Sequence, residues 1–181
     1  MRWIIRALVL VLAAIVLALV GPTAVAQASA PQNGPAVTSQ DRAFLRAAHQ
    51  ANLAEITTGR LAEKMGRRAQ VRNLGRMFVT DHTRLDANLK QVARRLGVSL
   101  PNQPNATQRA LAARLKKLSG TAFDKAFLSG QLAGHVMART GGRTELAKGS
   151  NADAKTAART SAPVVQHHIN ELVAAQRNSR G

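Results

Sequence analysis

The 181-residue chain has no cysteine, no tyrosine and a single tryptophan, Trp3. Without cysteine it can form no disulfide, so its fold must be held by a core or by a bound ligand even in an oxidising compartment. The same absence excludes a thiol nucleophile and a lipoprotein anchor. Four phenylalanines are the other aromatic residues, which leaves few rings on which the bases of a nucleic acid could stack.

Acidic residues are scarce as well. Nine Asp and Glu stand against 26 Lys and Arg, and the formal net charge is +17. A field of this sign attracts anionic partners. We expect these to be envelope polymers or lipid headgroups rather than nucleic acid, because stacking residues are few and the chain carries an export signal. The alternative is that the cationic side chains form a solvated surface with no partner.

The export signal lies in the first thirty residues. A short basic start precedes an unbroken apolar run over residues 7–20, and small residues two apart follow over residues 24–28. The run is short for a membrane span of ~20 residues, so we expect a Sec signal peptide cleaved after Ala26 or Ala28 rather than a retained anchor. Cleavage would leave a net charge of +15 on a protein that is secreted or associated with the cell envelope.

The rest of the chain has helical periodicity and no strand-like alternation. Apolar residues recur at steps of three and four in four long segments that end near Met65, Leu96, Leu146 and Ala175, and in a short one at about 107–118. The pattern predicts an all-α, ferritin-like four-helix bundle with a short extra helix in the crossover between the second and third long helices. The predicted organisation is a signal peptide (1–28), a linker (29–37), the bundle (38–177) and a tail (178–181).

Helix starts and interruptions can also be predicted. Thr38 with Asp41, and Thr121 with Asp124, have the spacing of capping boxes at the starts of the first and third long helices. Pro163 lies inside the fourth long helix and should bend it.

Each long helix places one strongly polar or titratable side chain on its apolar face. These are Glu55, His82, His135 and His168. A buried carboxylate needs partners, and three imidazoles with one carboxylate suit zinc, copper or iron better than calcium or magnesium. The groups expected around these four ligands, as hydrogen-bond partners, are Asp81, Asp86, His49 and Glu171. The alternative is a buried hydrogen-bonded network that holds no metal.

Six segments in fixed order carry a family resemblance. They are DRAFLRAAHQANLAEITTGRLA (41–62), FVTDHTRLDANL (78–89), GVSLP (97–101), SGTAFDKAF (119–127), QLAGH (131–135) and APVVQHHINEL (162–172). Together they resemble the exported bacterial family called domain of unknown function 4142, in a variant that looks actinobacterial. The resemblance spans residues 38–175.

The resemblance implies a ferritin-like helical bundle in the envelope or outside the cell, and it implies no established activity. The family's recurring polar positions correspond here to Glu55, Asp81, His82, Asp124, His135 and His168. Di-iron bundles use two Glu-x-x-His pairs, but this chain has none, since His168 and Glu171 stand in the reverse order. Ferroxidase chemistry is therefore not expected. A Gly-x-Ser-x-Gly elbow and a Gly-rich phosphate loop are also absent.

The sequence leaves the function open between classes. The first hypothesis is an exported binding protein whose bundle core holds a transition metal. The second is a basic structural or interaction protein that binds anionic envelope polymers or lipids, its buried polar residues forming a structural network. A metal-dependent oxidoreductase or hydrolase is the third, and the sequence favours a protein that is not an enzyme. Convergence of the four polar side chains on one point would favour the first hypothesis.

Overall fold

The computed structural model describes residues 36–178 of the chain. The expected signal peptide lies outside these residues, as do residues 29–35 of the expected linker and 179–181 of the tail. Five helices are present: α1 (Ser39–Met65), α2 (Ala69–Arg95), α3 (Ala106–Leu115), α4 (Gly120–Lys148) and α5 (Ala152–Arg177). No strand occurs between residues 36 and 178, so the all-α helical bundle is confirmed.

The four long helices pack as two antiparallel pairs. Short connections join α1 to α2 and α4 to α5, and α1 also packs on α4 while α2 packs on α5. The long connection therefore runs between the second and third long helices, as the sequence predicted, and its short helix α3 packs on α1 and α4. None of the helices between residues 36 and 178 is long and apolar enough to cross a membrane.

Helices α1 and α2 approach so closely that their backbones touch. A Cβ atom added to Gly75 would lie 2.6 Å from the carbonyl oxygen of Gly59 and 2.9 Å from Cβ of Ala62. Both distances are shorter than ordinary van der Waals contact. The glycines at 59 and 75 thus permit the contact that sets the separation of this pair.

The start of α1 confirms one of the two predicted caps. Thr38 and Asp41 form a capping box, in which the Asp41 carboxylate accepts hydrogen bonds from the backbone N–H (2.7 Å) and the hydroxyl (2.6 Å) of Thr38. The other carboxylate oxygen accepts from the backbone N–H groups of Ser150 (3.0 Å) and Asn151 (3.1 Å). Asp41 therefore joins the start of α1 to the α4–α5 connection.

Glu145 is fully buried beside this junction. Its Oε2 accepts a hydrogen bond from the Gln40 amide at 3.1 Å, whereas Oε1 has no partner in the described part of the chain. Burial raises the pKa of Glu145, the Gln40 hydrogen bond lowers it, and the neighbouring Asp41 raises it again. A protonated Glu145 can donate a hydrogen bond, which relieves the repulsion between the two carboxyl groups.

The second predicted capping box is wrong. Helix α4 begins at Gly120, at a φ of 56°, and Ser119 precedes it without a side-chain cap. The Asp124 carboxylate instead accepts the backbone N–H groups of Arg67 and Arg68, both at 3.0 Å. These two groups directly precede α2, where no helical carbonyl accepts from them, so Asp124 satisfies the approach to another helix rather than the start of its own.

Pro163 lies within α5, which continues through it to Arg177. Helix α4 likewise continues through Gly141 and Gly142. Neither position ends its helix, since packing of the apolar faces on both sides outweighs the backbone hydrogen bond lost at Pro163 and the conformational entropy of the two glycines.

The core consists of two apolar clusters. One lies toward the α1–α2 connection and includes Phe78, Phe123, Phe127 and Leu172, with Leu115 of the crossover. The other lies toward the opposite end of the bundle and comprises Phe44, Leu45, Leu89, Val92, Ala93, Val98, Ala154 and Ala158. Polar side chains from all four long helices are buried between the two clusters along each helix, and this polar layer contains the candidate site.

Candidate metal centre

Three histidines from three helices meet in the polar layer. His82 of α2, His135 of α4 and His168 of α5 are buried, with 4%, 1% and 0% of their surface exposed. Nε2 of His135 lies 3.4 Å from Nε2 of His82 and 3.1 Å from Nδ1 of His168. One ring nitrogen from each lies within 4.8 Å of the other two. The three rings therefore converge on one point, as the sequence predicted for these residues.

The second nitrogen of each ring faces a hydrogen-bond acceptor. Nδ1 of His82 lies 2.9 Å from Oδ1 of Asn52, and Nδ1 of His135 lies 2.9 Å from the backbone oxygen of Gln131. Nε2 of His168 lies 3.0 Å from a carboxylate oxygen of Asp81. A backbone carbonyl and a carboxylate accept but do not donate, so the outer nitrogens of His135 and His168 must carry the proton of a neutral ring, and the amide oxygen of Asn52 that faces Nδ1 of His82 assigns the same arrangement to that ring.

The inner nitrogens are consequently left without protons. A neutral imidazole has one N–H group, and each of the three uses it outward. The lone pair of His135 then faces those of His82 and His168 across 3.4 Å and 3.1 Å, and the ligand nitrogens of the three rings lie within 4.8 Å of one another. Metal–nitrogen bonds of ~2.0–2.1 Å in a tetrahedral site place neighbouring nitrogens ~3.3–3.4 Å apart. Two of the three nitrogen pairs in the three-histidine cluster thus have about the spacing of neighbouring ligands in such a site.

Burial keeps these rings neutral. It lowers the pKa of His82 well below 6.5, and the positive charges that His135 and His168 would carry lower it further. Burial also lowers the pKa of His135 to about 4, although the hydrogen bond to the Gln131 carbonyl acts against it. The pKa of His168 is lowered by burial too, and the Asp81 carboxylate compensates only in part.

Phe78 packs against the cluster. The centroid of its ring lies 4.7 Å from that of His168, 5.0 Å from that of His135 and 6.3 Å from that of His82. A phenyl ring brings no ligand atom and excludes water. The rotamers of the histidines are therefore fixed by apolar packing as well as by their hydrogen bonds.

Glu55 lies beside the cluster rather than within it. Its Oε1 is 3.7 Å from Nδ1 of His135, the nitrogen that faces away from the other rings. The amide of Gln131 donates a hydrogen bond to the other carboxylate oxygen, Oε2, and to the hydroxyl of Thr58 at 3.1 Å. Burial raises the pKa of Glu55 to about 8, although the Gln131 hydrogen bond lowers it. In this arrangement Glu55 is not a fourth ligand but a neutral neighbour of His135.

The four residues predicted as hydrogen-bond partners of the ligands lie in different places relative to the three-histidine cluster. Asp81 contacts the cluster through His168, although it is adjacent to His82 in sequence. His49 and Asp86 pair with each other at 2.6 Å, and Asp86 also binds the Lys90 ammonium at 2.7 Å. Glu171 lines a groove between α2 and α5.

Two functional positions were not among the predicted site residues. Asn52 and Gln131 are 6% and 2% exposed, and they hold the outer nitrogens of His82 and His135. Asn52 lies three residues from both His49 and Glu55, so helical spacing alone predicts that it lies on the polar side of α1. The role of Gln131 rests on its backbone oxygen, which no residue type reveals.

The family profile described as "Domain of unknown function (DUF4142)" matches residues 26–174. The chain belongs to this family. All residues of the three-histidine cluster and their acceptors lie within the matched part of this DUF4142 chain. No curated protein and no solved structure matches the sequence significantly, so the family supplies no activity for comparison.

Proposed function

We propose that the protein is an exported, envelope-associated protein that binds one transition-metal ion, such as zinc or copper, in the core of its bundle. His82, His135 and His168 would supply the ligands. This proposal rests on the convergence of three ring nitrogens that carry no proton. They carry none because the other nitrogen of each ring holds the proton and donates it to an outward acceptor. A buried set of lone pairs without a donor is unfavourable by itself, and a cation relieves it.

The chemistry of the three ligands selects the metal. Imidazole nitrogen suits zinc, copper, nickel and iron, while calcium and magnesium require oxygen ligands. Among residues 36–178 no carboxylate joins the three histidines as a ligand, and the sequence has no Glu-x-x-His pair. Both observations support a site for one ion rather than a di-iron centre. The ferritin-like classification and the Sec-dependent export belong to the proposal, supported by the helix connections and by the N-terminal sequence pattern.

Metal-dependent thermal stability tests this function. The parent protein, stripped of metal and titrated with zinc or copper, should gain about 2.7 kcal/mol when the free ion reaches 100 times its Kd. His82→Leu should lose most of that gain. His167→Leu is the matched control, because His167 is an exposed neighbour of His168 and should leave the response intact. A parent whose melting ignores both metals would refute the proposal and leave a buried network.

A second function is favoured by the distribution of charge. Five of the nine acidic residues are buried and the other four are only partly accessible, whereas 19 of the 23 Lys and Arg between residues 36 and 178 are exposed. The outer surface is therefore more uniformly cationic than the net charge implies. This supports binding to anionic envelope polymers or lipid headgroups in addition to the metal.

Salt dependence tests the surface proposal. Adsorption to anionic phospholipid vesicles or to an immobilised polyanionic cell-wall polymer should fall steeply between 0.1 M and 1 M salt, as the screening length shortens from ~10 Å to ~3 Å. Vesicles of zwitterionic lipid serve as the control. Adsorption that is absent at low salt, or unaffected by salt, would contradict this second function.

A further inference from the structure

The three-histidine cluster is connected to the surface through only one of its outer hydrogen-bond partners. Asn52 is 6% exposed and Gln131 2% exposed, so the sides of His82 and His135 are closed. The Asp81 side chain is 28% exposed, and its carboxylate contacts Nε2 of the fully buried His168. Asp81 therefore spans from solvent to the cluster.

A groove between α2 and α5 lies one helical turn from this pair. It encloses about 170 Å³ and is lined by Gln70, Asn73, Leu74, Met77 and Glu171. Met77 precedes Asp81 by four residues, and Glu171 follows His168 by three. One helical turn of ~5.4 Å thus separates the Asp81–His168 pair from the end of the groove.

The charges of the groove differ from those of the surface around it. A protein of net charge +17 repels a divalent cation over most of its exterior. The carboxylate of Glu171 makes no ion pair or hydrogen bond with any residue between 36 and 178, so it is available to attract a cation. Two cationic side chains contact amides that line the groove: Arg68 binds the Gln70 amide oxygen at 2.9 Å, and Arg76 binds that of Asn73. Both guanidinium groups are thereby directed at amides rather than at Glu171.

We propose that the metal ion reaches the three-histidine cluster along the α2–α5 groove, attracted first by Glu171 and then by Asp81, which lies beside His168. This access route rests on the proposed metal-binding function. Carboxylate oxygens bind divalent transition metals more weakly than three imidazoles do together, so the ion moves inward toward stronger ligands. Asp81 has a second role, because in the loaded state its carboxylate holds the outer N–H of His168.

Kinetics of cobalt(II) uptake test the route. Cobalt(II) in a tetrahedral histidine site absorbs visible light, and the chain lacks tyrosine and has only Trp3, so intrinsic fluorescence cannot report binding. Metal-stripped protein is mixed with Co²⁺ in a stopped-flow instrument at low and at high salt. Glu171→Gln should lower both the association and the dissociation rate constants by roughly tenfold at low salt, while the Kd changes by less than about twofold.

Glu63→Gln is the matched control. Glu63 is also a partly accessible acid, but it lies on α1, outside the α2–α5 groove. The same loss of one negative charge there should leave both rate constants nearly unchanged. Asp81→Asn should slow uptake and also raise the Kd, since His168 loses its carboxylate acceptor. At 1 M salt the effect of Glu171→Gln should largely disappear.

The outcomes separate the route from the function. A parent that takes up no cobalt refutes the metal-binding proposal and the route with it. A parent that binds cobalt while Glu171→Gln and Glu63→Gln load at equal rates refutes the route alone. A higher Kd for Glu171→Gln with an unchanged association rate would show that Glu171 acts on the bound ion rather than on its approach, and this also refutes the route.

Discussion

Replacing Glu55 with glutamine tests whether this buried carboxyl group is protonated in the folded protein. Burial raises its pKa from 4.5 to about 8, and the hydrogen bond from Gln131 opposes only part of that change. Glutamine has the shape of a protonated glutamic acid and can accept the same hydrogen bond, but it does not titrate. The Glu55→Gln variant therefore removes the free energy of keeping the carboxyl group protonated and little else.

The sign and size of the effect follow from the two pKa values. The folded state binds this proton more tightly than the unfolded state does. The corresponding stability is fully present below pH 4.5 and is lost as the pH rises, until the pH reaches about 8. Each pH unit in this window costs the parent about 1.4 kcal/mol, or about 4 kcal/mol between pH 5 and pH 8. The Glu55→Gln variant does not lose this stability as the pH rises, because glutamine does not titrate.

Urea unfolding followed by far-ultraviolet circular dichroism measures the difference. Parent and variant, both free of metal, are unfolded at pH 5, 6, 7 and 8, and the stability of the variant relative to the parent should increase steadily with pH. Groups that titrate in both proteins cancel in this comparison. Glu63→Gln, which removes a partly exposed carboxyl group from the same helix, is the control for the loss of one acidic side chain from α1. A constant difference between Glu55→Gln and the parent from pH 5 to pH 8 would refute the raised pKa.

Three further predictions use the same purified protein. Gly75→Ala should lower the free energy of unfolding, measured in urea, by at least about 2 kcal/mol, because its Cβ would meet the α1 backbone at 2.6 Å. Gly141→Ala, whose Cβ would have nothing within 4 Å, should raise that free energy by up to ~1 kcal/mol. Asp124→Ala should cost about 2–3 kcal/mol, since two backbone N–H groups lose their acceptor, whereas Asp153→Ala breaks only an exposed pair with Arg95 worth less than ~1 kcal/mol. Burial holds the pKa of His135 near 4 and lowers those of His82 and His168. The zinc affinity, measured by equilibrium dialysis, should therefore fall less than about tenfold from pH 7 to pH 5.5. A site of three histidines with ordinary pKa values would lose more than ~100-fold in affinity over the same range.

The fold could be predicted from sequence because helical periodicity is local and strong. Apolar residues at steps of three and four gave the number of long helices, and the position of the long connection followed from the prolines and the short helix between Leu96 and Ser119. The Asp124 cap failed because the Thr121–Asp124 spacing is a local pattern, whereas the carboxylate accepts from Arg67 and Arg68, 57 and 56 residues away in the sequence. Only the tertiary structure brings these donors to Asp124.

The candidate site was predictable in its members but not in its contacts. The sequence pattern identifies the three histidines as candidate site residues, because an imidazole on the apolar face of a helix must find partners inside the core. Which nitrogen faces which acceptor depends on the rotation of each helix about its axis, and a rotation of a few tens of degrees exchanges neighbours. Asp81 therefore binds His168 rather than the adjacent His82, and Asp86 turns to His49.

The carboxylate of Asp41 has a consequence for the kinetics of folding. It bonds Ser150 and Asn151 across sequence separations of 109 and 110 residues, so these bonds can form only after both helical hairpins have docked. Contacts that close such long loops are made late, on the native side of the transition state. Their loss in Asp41→Ala should accelerate unfolding far more than it slows folding. The hydrogen bonds of Asp41 at the start of α1 thus slow the unfolding of the native bundle, and they set the lifetime of the folded state.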